Sequence, residues 1–168
     1  MVKGADEKDK NKADRLSVKG EDATITPMRI EDLSEISVLE KLSFSLPWSR
    51  EDFREIVLSQ LYKGLVLRGS MKQIMGYIVY YLAGDEGHVM NVVTNPKYKK
   101  MGVAQAMLDH VHGLFADSRA SYSFLELRRS NYGAYRLYKK KGYVYVGLRR
   151  GYYADNMEDA ILMRKALN

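Results

Sequence analysis

Between His88 and Leu127 the hydrophobic pattern changes period twice, which restricts the fold more than any other feature of the chain. His88 to Val93 reads as a strand. A helix follows Gly102, with Ala104, Leu108, Val111 and Phe115 on one face, and Tyr122 to Leu127 reads as a strand again. Strand, helix, strand predicts a parallel pair with a right-handed crossover, because parallel strands cannot be joined by a tight turn.

The rest of the chain surrounds that unit. Thr24 to Thr26 reads as a short strand stopped by Pro27, and Glu31 to Phe44 as a helix with Leu33, Ile36, Leu39 and Leu42 on its apolar face. Ser45 to Ser49 is a loop whose last residue is placed to cap a second helix through Phe53 and Ile56. Strands are expected at Gly64 to Leu67, Ile74 to Leu82, Tyr143 to Leu148 and Ala160 to Met163, and a helix at Asn131 to Lys140. The order is β-α-α-β-β-β-α-β-α-β-β. It predicts an α/β (α+β) fold with one mixed, mostly antiparallel sheet flanked by helices.

At 168 residues the chain has room for one ordinary domain. Residues 1–22 are polar and aperiodic, which predicts a tail or loosely attached arm, with the domain proper at residues 23–168. No apolar run is long enough to span a bilayer, and the first residues lack a signal-peptide pattern, so a cytoplasmic location with no membrane partner is expected. The absence of cysteine excludes a thiol nucleophile and a thiolate metal site.

The net charge of +6 is unevenly placed. Residues 1–22 hold 6 basic and 6 acidic side chains, so the excess lies beyond them. Lys97, Lys99 and Lys100 form one cluster, and eight Lys or Arg residues run from Arg128 to Arg150 without an acidic residue. Such a bias reads either as a surface for an anionic partner or as a solvated basic face without a ligand.

The segment Asn95 to Ala104 reads either as a lysine-rich loop with an incidental glycine or as a loop that receives an anion. Gly102 leaves the backbone open to close approach, and the N–H groups that follow start a helix and lack internal partners. With the positive end of the helix dipole they form an anion site, to which Lys99 and Lys100 add charge. The loop lacks the Gly-Lys-Ser/Thr of a Walker loop and the three glycines of a dinucleotide fingerprint.

Lys99-x-x-Gly102-x-Ala104 resembles the Arg/Gln-x-x-Gly-x-Gly/Ala signature of the GNAT acyltransferases, with lysine in place of the usual first residue. Leu125-Glu126-Leu127-Arg128-x-Ser130-Asn131-x-x-Ala134-x-x-Leu137-Tyr138-x-x-x-Gly142-Tyr143 resembles a second coenzyme-side segment of the N-terminal protein acetyltransferases. Arg149-Arg150-Gly151-Tyr152-Tyr153, followed by Glu158-Asp159-Ala160, resembles their substrate-side hairpin. Together the segments are similar to the bacterial ribosomal-protein alanine acetyltransferases and to archaeal and eukaryotic NatA-type catalytic subunits.

The resemblance implies acetyl-coenzyme A as the acetyl source, no metal, and two neighbouring parallel strands that splay to admit the pantetheine arm. Val92, Val93 and Thr94, then Lys99, Lys100, Met101, Gly102, Val103 and Ala104, then Asn131 and Tyr138 fall on its coenzyme-binding positions. Glu126 falls on the general base, Tyr138 on the hydroxyl that protonates the leaving thiolate, and His88 on a position where some relatives carry a catalytic tyrosine or histidine. Glu126 also has a structural reading, paired with Arg128 or a nearby lysine. His88 has one as a strand residue, and Tyr138 as core packing. Leu46, Pro47 and Trp48, with Tyr152 and Tyr153, fall on the acceptor side, where Trp48 also reads as a plug between two helices.

The implied reaction is Nα-acetylation of protein N-termini by direct attack in a ternary complex, with ribosomal proteins or nascent chains as acceptors and the enzyme a monomer or homodimer. An α-amino group titrates near ~8 and a lysine near ~10.4, so the former needs only a modest base. The same fold could act on lysine or a small amine, although no acidic cluster is evident for a polyamine or sugar. A basic RNA-binding module lacks its usual aromatic-basic signature, so no specific nucleic acid is expected.

Overall fold

The computed structural model describes residues 13–167. A single eight-stranded sheet runs in the order β1-β2-β3-β4-β5-β6-β8-β7. Its strands are β1 (Asp14–Val18), β2 (Glu21–Pro27), β3 (Tyr62–Gly69), β4 (Ile74–Ala83), β5 (Glu86–Thr94), β6 (Tyr122–Arg128), β7 (Val144–Tyr153) and β8 (Glu158–Ala166). The helices are α1 (Leu33–Ser43), α2 (Arg50–Leu58), α3 (Val103–Asp117) and α4 (Tyr132–Lys140). Every neighbouring pair is antiparallel except β5 and β6, which are parallel as the strand-helix-strand pattern requires.

The opening of the chain departs from expectation. Asp14–Val18 is an edge strand, tied to β2 by a two-residue turn at Lys19 and Gly20, both with positive φ. Leu16 and Val18 turn the same face inward, and Val18 is fully buried, so the sheet begins well before residue 23. Residues 1–12 of the expected arm lie outside the described residues.

The sheet carries a core on each face. Leu67, Ile78, Val89, Leu125 and Leu127 pack with Val103, Met107, Val111 and Phe115 of α3 and Tyr138 of α4. On the other face Val66, Tyr77, Val79 and Val93 pack with Leu33, Ile36 and Leu39 of α1 and Phe53 of α2. The α1 face differs from the expected one: Leu42 is 67% exposed, and Glu40 faces inward instead. Ser49 caps α2 as expected, accepting from the Asp52 N–H at 3.1 Å while Asp52 accepts the Ser49 N–H. Gly76 lets α3 lie close on the sheet: a Cβ there would stand 2.5 Å from the Val93 carbonyl oxygen and 2.9 Å from Val103.

Candidate active site

The decisive feature is where β5 and β6 part. Their pairing runs over four positions, from Glu86 opposite Tyr122 to Val89 opposite Leu125, and then stops. Both strands continue, β5 to Thr94 and β6 to Arg128, so the sheet forks beyond Val89 and Leu125. Met90 sits at the fork as a bulge, because β4 pairs with Val89 and Asn91 but skips it. The extra residue resets the alternation of β5. Val89 and Val92 face the α3 core, whereas Asn91 and Val93 face α1.

The helix start expected to receive an anion is built at the far end of β5. Asn95 turns the chain by accepting the Lys97 N–H and donating its side-chain amide to the Ile74 carbonyl at 2.9 Å. Lys100 and Gly102 take positive φ, and Gly102 opens α3. Nothing lies within 4 Å of the place a Gly102 Cβ would occupy, so open space stands in front of the helix start. The N–H groups of Val103, Ala104 and Gln105 begin that helix and are offered to the opening. A cavity of about 310 Å³ lies there, lined by Thr94, Lys99, Lys100, Gly102, Ala104, Gly133 and Leu137 among others. The opening, its positive helix end and its lysines fit a pyrophosphate, and the fork leads from it along β5.

Asn131 has a local role. It caps α4, its side chain accepting the Ala134 N–H at 3.1 Å, and so places Gly133 and Leu137 on the cavity wall. Those two wall residues were not singled out from sequence, although their spacing of four puts them on one helical face. Tyr138, one residue further, is 8% exposed, its ring 5.8 Å from that of Tyr143. Burial raises its pKa to about 12, so it holds its proton across the neutral range.

Glu126 is the first β6 residue past the fork, and its side chain leaves the sheet on the face away from α3. Its carboxylate lies 2.9 Å from the Arg149 guanidinium, which is neither Arg128 nor a lysine. Tyr152 closes the group, its ring 5.4 Å from the Arg149 guanidinium, with its pKa raised by burial and by the nearby Glu126 carboxylate and lowered in part by Arg149. Arg149 was missed because it looked like one member of a basic run; only the pairing of β6, β8 and β7 shows that it reaches over β8. His88 is held differently. Its ring is stacked between Tyr81 at 4.6 Å and Phe124 at 5.4 Å, and its Nε2 is 3.0 Å from Glu86.

Arg128 joins the two expected acceptor walls. Its guanidinium pairs with Asp155 at 2.9 Å and Glu158 at 3.3 Å, reaches Ser45 Oγ at 3.4 Å, and lies 3.9 Å over the Tyr153 ring. Ser45 also donates to Asp155, so the α1–α2 loop touches the β7–β8 turn. Leu46 and Pro47 are exposed on that loop, while Trp48 is half-buried with its ring 5.6 Å from Phe53. The basic run is therefore partly neutralised: Arg128, Arg129, Lys141 and Arg149 each hold a carboxylate. Lys97, Lys99 and Lys100 stay exposed beside the start of α3. Among the described residues no cluster of His, Cys, Asp or Glu could hold a metal ion, and no helix is long and apolar enough to cross a membrane.

Residues 33–143 match the acetyltransferase (GNAT) family. A Bacillus subtilis protein provisionally named ribosomal protein bS18-alanine N-acetyltransferase is 30% identical over 146 residues, 87% of this chain and 97% of that protein. An N-alpha-acetyltransferase of Saccharolobus solfataricus is 28% identical over 162 residues, 89% of this chain and 96% of that protein. The crystal structure of the ribosomal-protein-S18-alanine N-acetyltransferase from Escherichia coli matches with a TM-score of 0.79 at 27% identity, covering 87% of this chain and 94% of that one. With its forked parallel pair and glycine-opened helix, this chain belongs to the GNAT acetyltransferase family and is an acyltransferase that takes its acetyl group from acetyl-coenzyme A.

Proposed function

We propose that the chain acetylates the free α-amino group of protein N-termini by direct attack in a ternary complex. The observation that carries this reading is the position of Glu126 at the fork, where a thioester entering from the Gly102 side meets an amine entering from the Tyr152 side. Glu126 takes the proton from the attacking amine, directly or through one water. An α-ammonium near ~8 is within reach of such a base, whereas a lysine near ~10.4 asks for far more.

Tyr138 serves the leaving group. A hydroxyl held protonated by burial donates a hydrogen bond to the departing sulfur, and its high pKa makes it a stabiliser of the thiolate more than a full proton donor. His88, clamped between two rings and tied to Glu86, sets the shape of the site without entering the proton path. The rate then comes chiefly from positioning and from β5 N–H groups past the fork, directed at the thioester carbonyl.

The acceptor is a peptide. Tyr152 and Tyr153 offer hydroxyls and rings to an extended backbone, with Leu46 and Pro47 opposite. Relatives named for acetylation of a ribosomal protein's N-terminal alanine favour ribosomal proteins or nascent chains. The test is mass-spectrometric profiling of peptides varied at the first two residues, beside α-blocked peptides carrying a free lysine. Acetylation confined to free N-termini is expected. Equal or faster modification of the blocked set would replace this reading with a lysine acetyltransferase of the same fold.

A further inference from the structure

Glu40 is a carboxylate where α1 should present an apolar side chain. It lies four residues after Ile36 on the inward face and is 1% exposed, the deepest acidic group among the described residues. Burial raises its pKa, and hydrogen bonds from Tyr77, Trp48 and Asn91 work against that rise. A leucine of similar volume would avoid the loss of hydration, so stability alone does not explain the residue.

Its partners come from three different elements. The Trp48 N–H of the α1–α2 loop donates to Oε1 at 3.1 Å. The Asn91 side-chain amide of β5 reaches both carboxylate oxygens, at 3.4 and 3.2 Å, and the Tyr77 hydroxyl of β4 donates to Oε2. Asn91 directly follows the Met90 bulge, so it is the first α1-facing residue of β5 past the fork. Trp48 ends the exposed Leu46–Pro47 stretch of the loop. One carboxylate thus bridges the strand that lines the thioester wedge and the loop on the acceptor side.

We propose that Glu40 is a positioning residue for acetyl transfer, tying the acceptor loop to the coenzyme strand by holding Trp48 and Asn91 on a single carboxylate. The proposal rests on the reading of Leu46 to Trp48 as an acceptor wall. Glu40 touches neither substrate in this account. It fixes how far the peptide's end stands from the thioester, a distance on which rate depends steeply.

The test compares Glu40→Leu with Glu40→Gln in the full chain. Leucine removes every acceptor. Glutamine keeps one oxygen for the Trp48 N–H and can donate to the Tyr77 hydroxyl. Exchange of the Trp48 backbone amide, followed by NMR, reads the tie without any substrate, and Trp48 is the only tryptophan of the chain, so its emission reports on the same loop. In the leucine variant this amide is expected to exchange about 10-fold faster or more, and the peptide KM to rise about 10-fold. Acetyl-coenzyme A affinity stays within about twofold, and the glutamine variant returns both quantities toward wild type. Unchanged Trp48 protection and peptide KM in the leucine variant would overturn the proposal, as would equal losses of peptide and coenzyme binding. If the leucine variant does not fold, Glu40→Ala, which admits water, carries the same expectations. A wild-type chain that acetylates no peptide N-terminus defeats the functional reading, whereas intact Trp48 protection without Glu40 defeats this one.

Discussion

Arg149 reaches across β8 to place its guanidinium 2.9 Å from the Glu126 carboxylate, joining the last strand pair of the sheet to the fork between β5 and β6. The carboxylate is thus held in a fixed orientation on the sheet face away from α3, and Tyr152 packs against the same guanidinium.

Glu126→Gln keeps the shape of that cluster and removes the proposed base. The expected result is a fall in kcat of about 100- to 10,000-fold, the usual span for general-base loss. Coenzyme affinity, measured by calorimetry, should stay within about twofold, because the residue faces away from the Gly102 cavity. Turnover equal to wild type would remove Glu126 from the proton path.

Gly102 separates two causes in one position. Its φ of +89° strains any other residue, while the space in front of it is open. Gly102→Ala should therefore cost about 1 kcal/mol of stability with coenzyme binding weakened only modestly. Gly102→Trp places a ring in the anion site and should weaken acetyl-coenzyme A binding by more than about 100-fold, or about 3 kcal/mol. Tight binding by the tryptophan variant would move the pyrophosphate elsewhere.

Much of this was legible in the chain itself, for physical reasons. The change of period around Gly102 demanded the parallel crossover, and the glycine before a helix marked an open helix start. Arg149, Arg128 and Glu40 were not legible. Each acts through a partner brought close by strand order: Glu126 across β8, Ser45 and Asp155 between loop and turn, Trp48 and Asn91 around one carboxylate. The edge strand Asp14–Val18 was hidden by its composition, since only Leu16 and Val18 carry its buried face. The exchange of Leu42 for Glu40 on α1 shows the same thing, because a periodic pattern assigns polar residues outward unless a buried network receives them.

Arg128 holds Ser45, Asp155, Glu158 and the Tyr153 ring at once. A lysine keeps the charge and loses the planar fork and the stacking. For Arg128→Lys the peptide KM should rise about 10-fold, with the KM for acetyl-coenzyme A unchanged. Steady-state kinetics with each substrate varied in turn would show this split, and equal rises in both constants would instead indicate damage to the whole β6 edge.

His112 gives the fold an acid-sensitive point away from the reacting groups. It is 8% exposed on α3, with Nε2 2.8 Å from the Tyr143 hydroxyl, which also contacts Ser123 at 2.6 Å. Burial, helped by Lys165 and Lys141 and opposed by Asp109, lowers its pKa from 6.5 to about 4. The folded state therefore favours the neutral ring. Its contribution is full above pH 6.5 and is lost as pH falls through about 4, a change of about 3 kcal/mol. His112→Gln cannot take up that proton. In urea titrations from pH 7 to 4, the stability of the wild type relative to this variant should fall by about 3 kcal/mol. A pH-independent difference would mean that His112 titrates alike in the folded and unfolded chains, and that its burial has no consequence for acid stability.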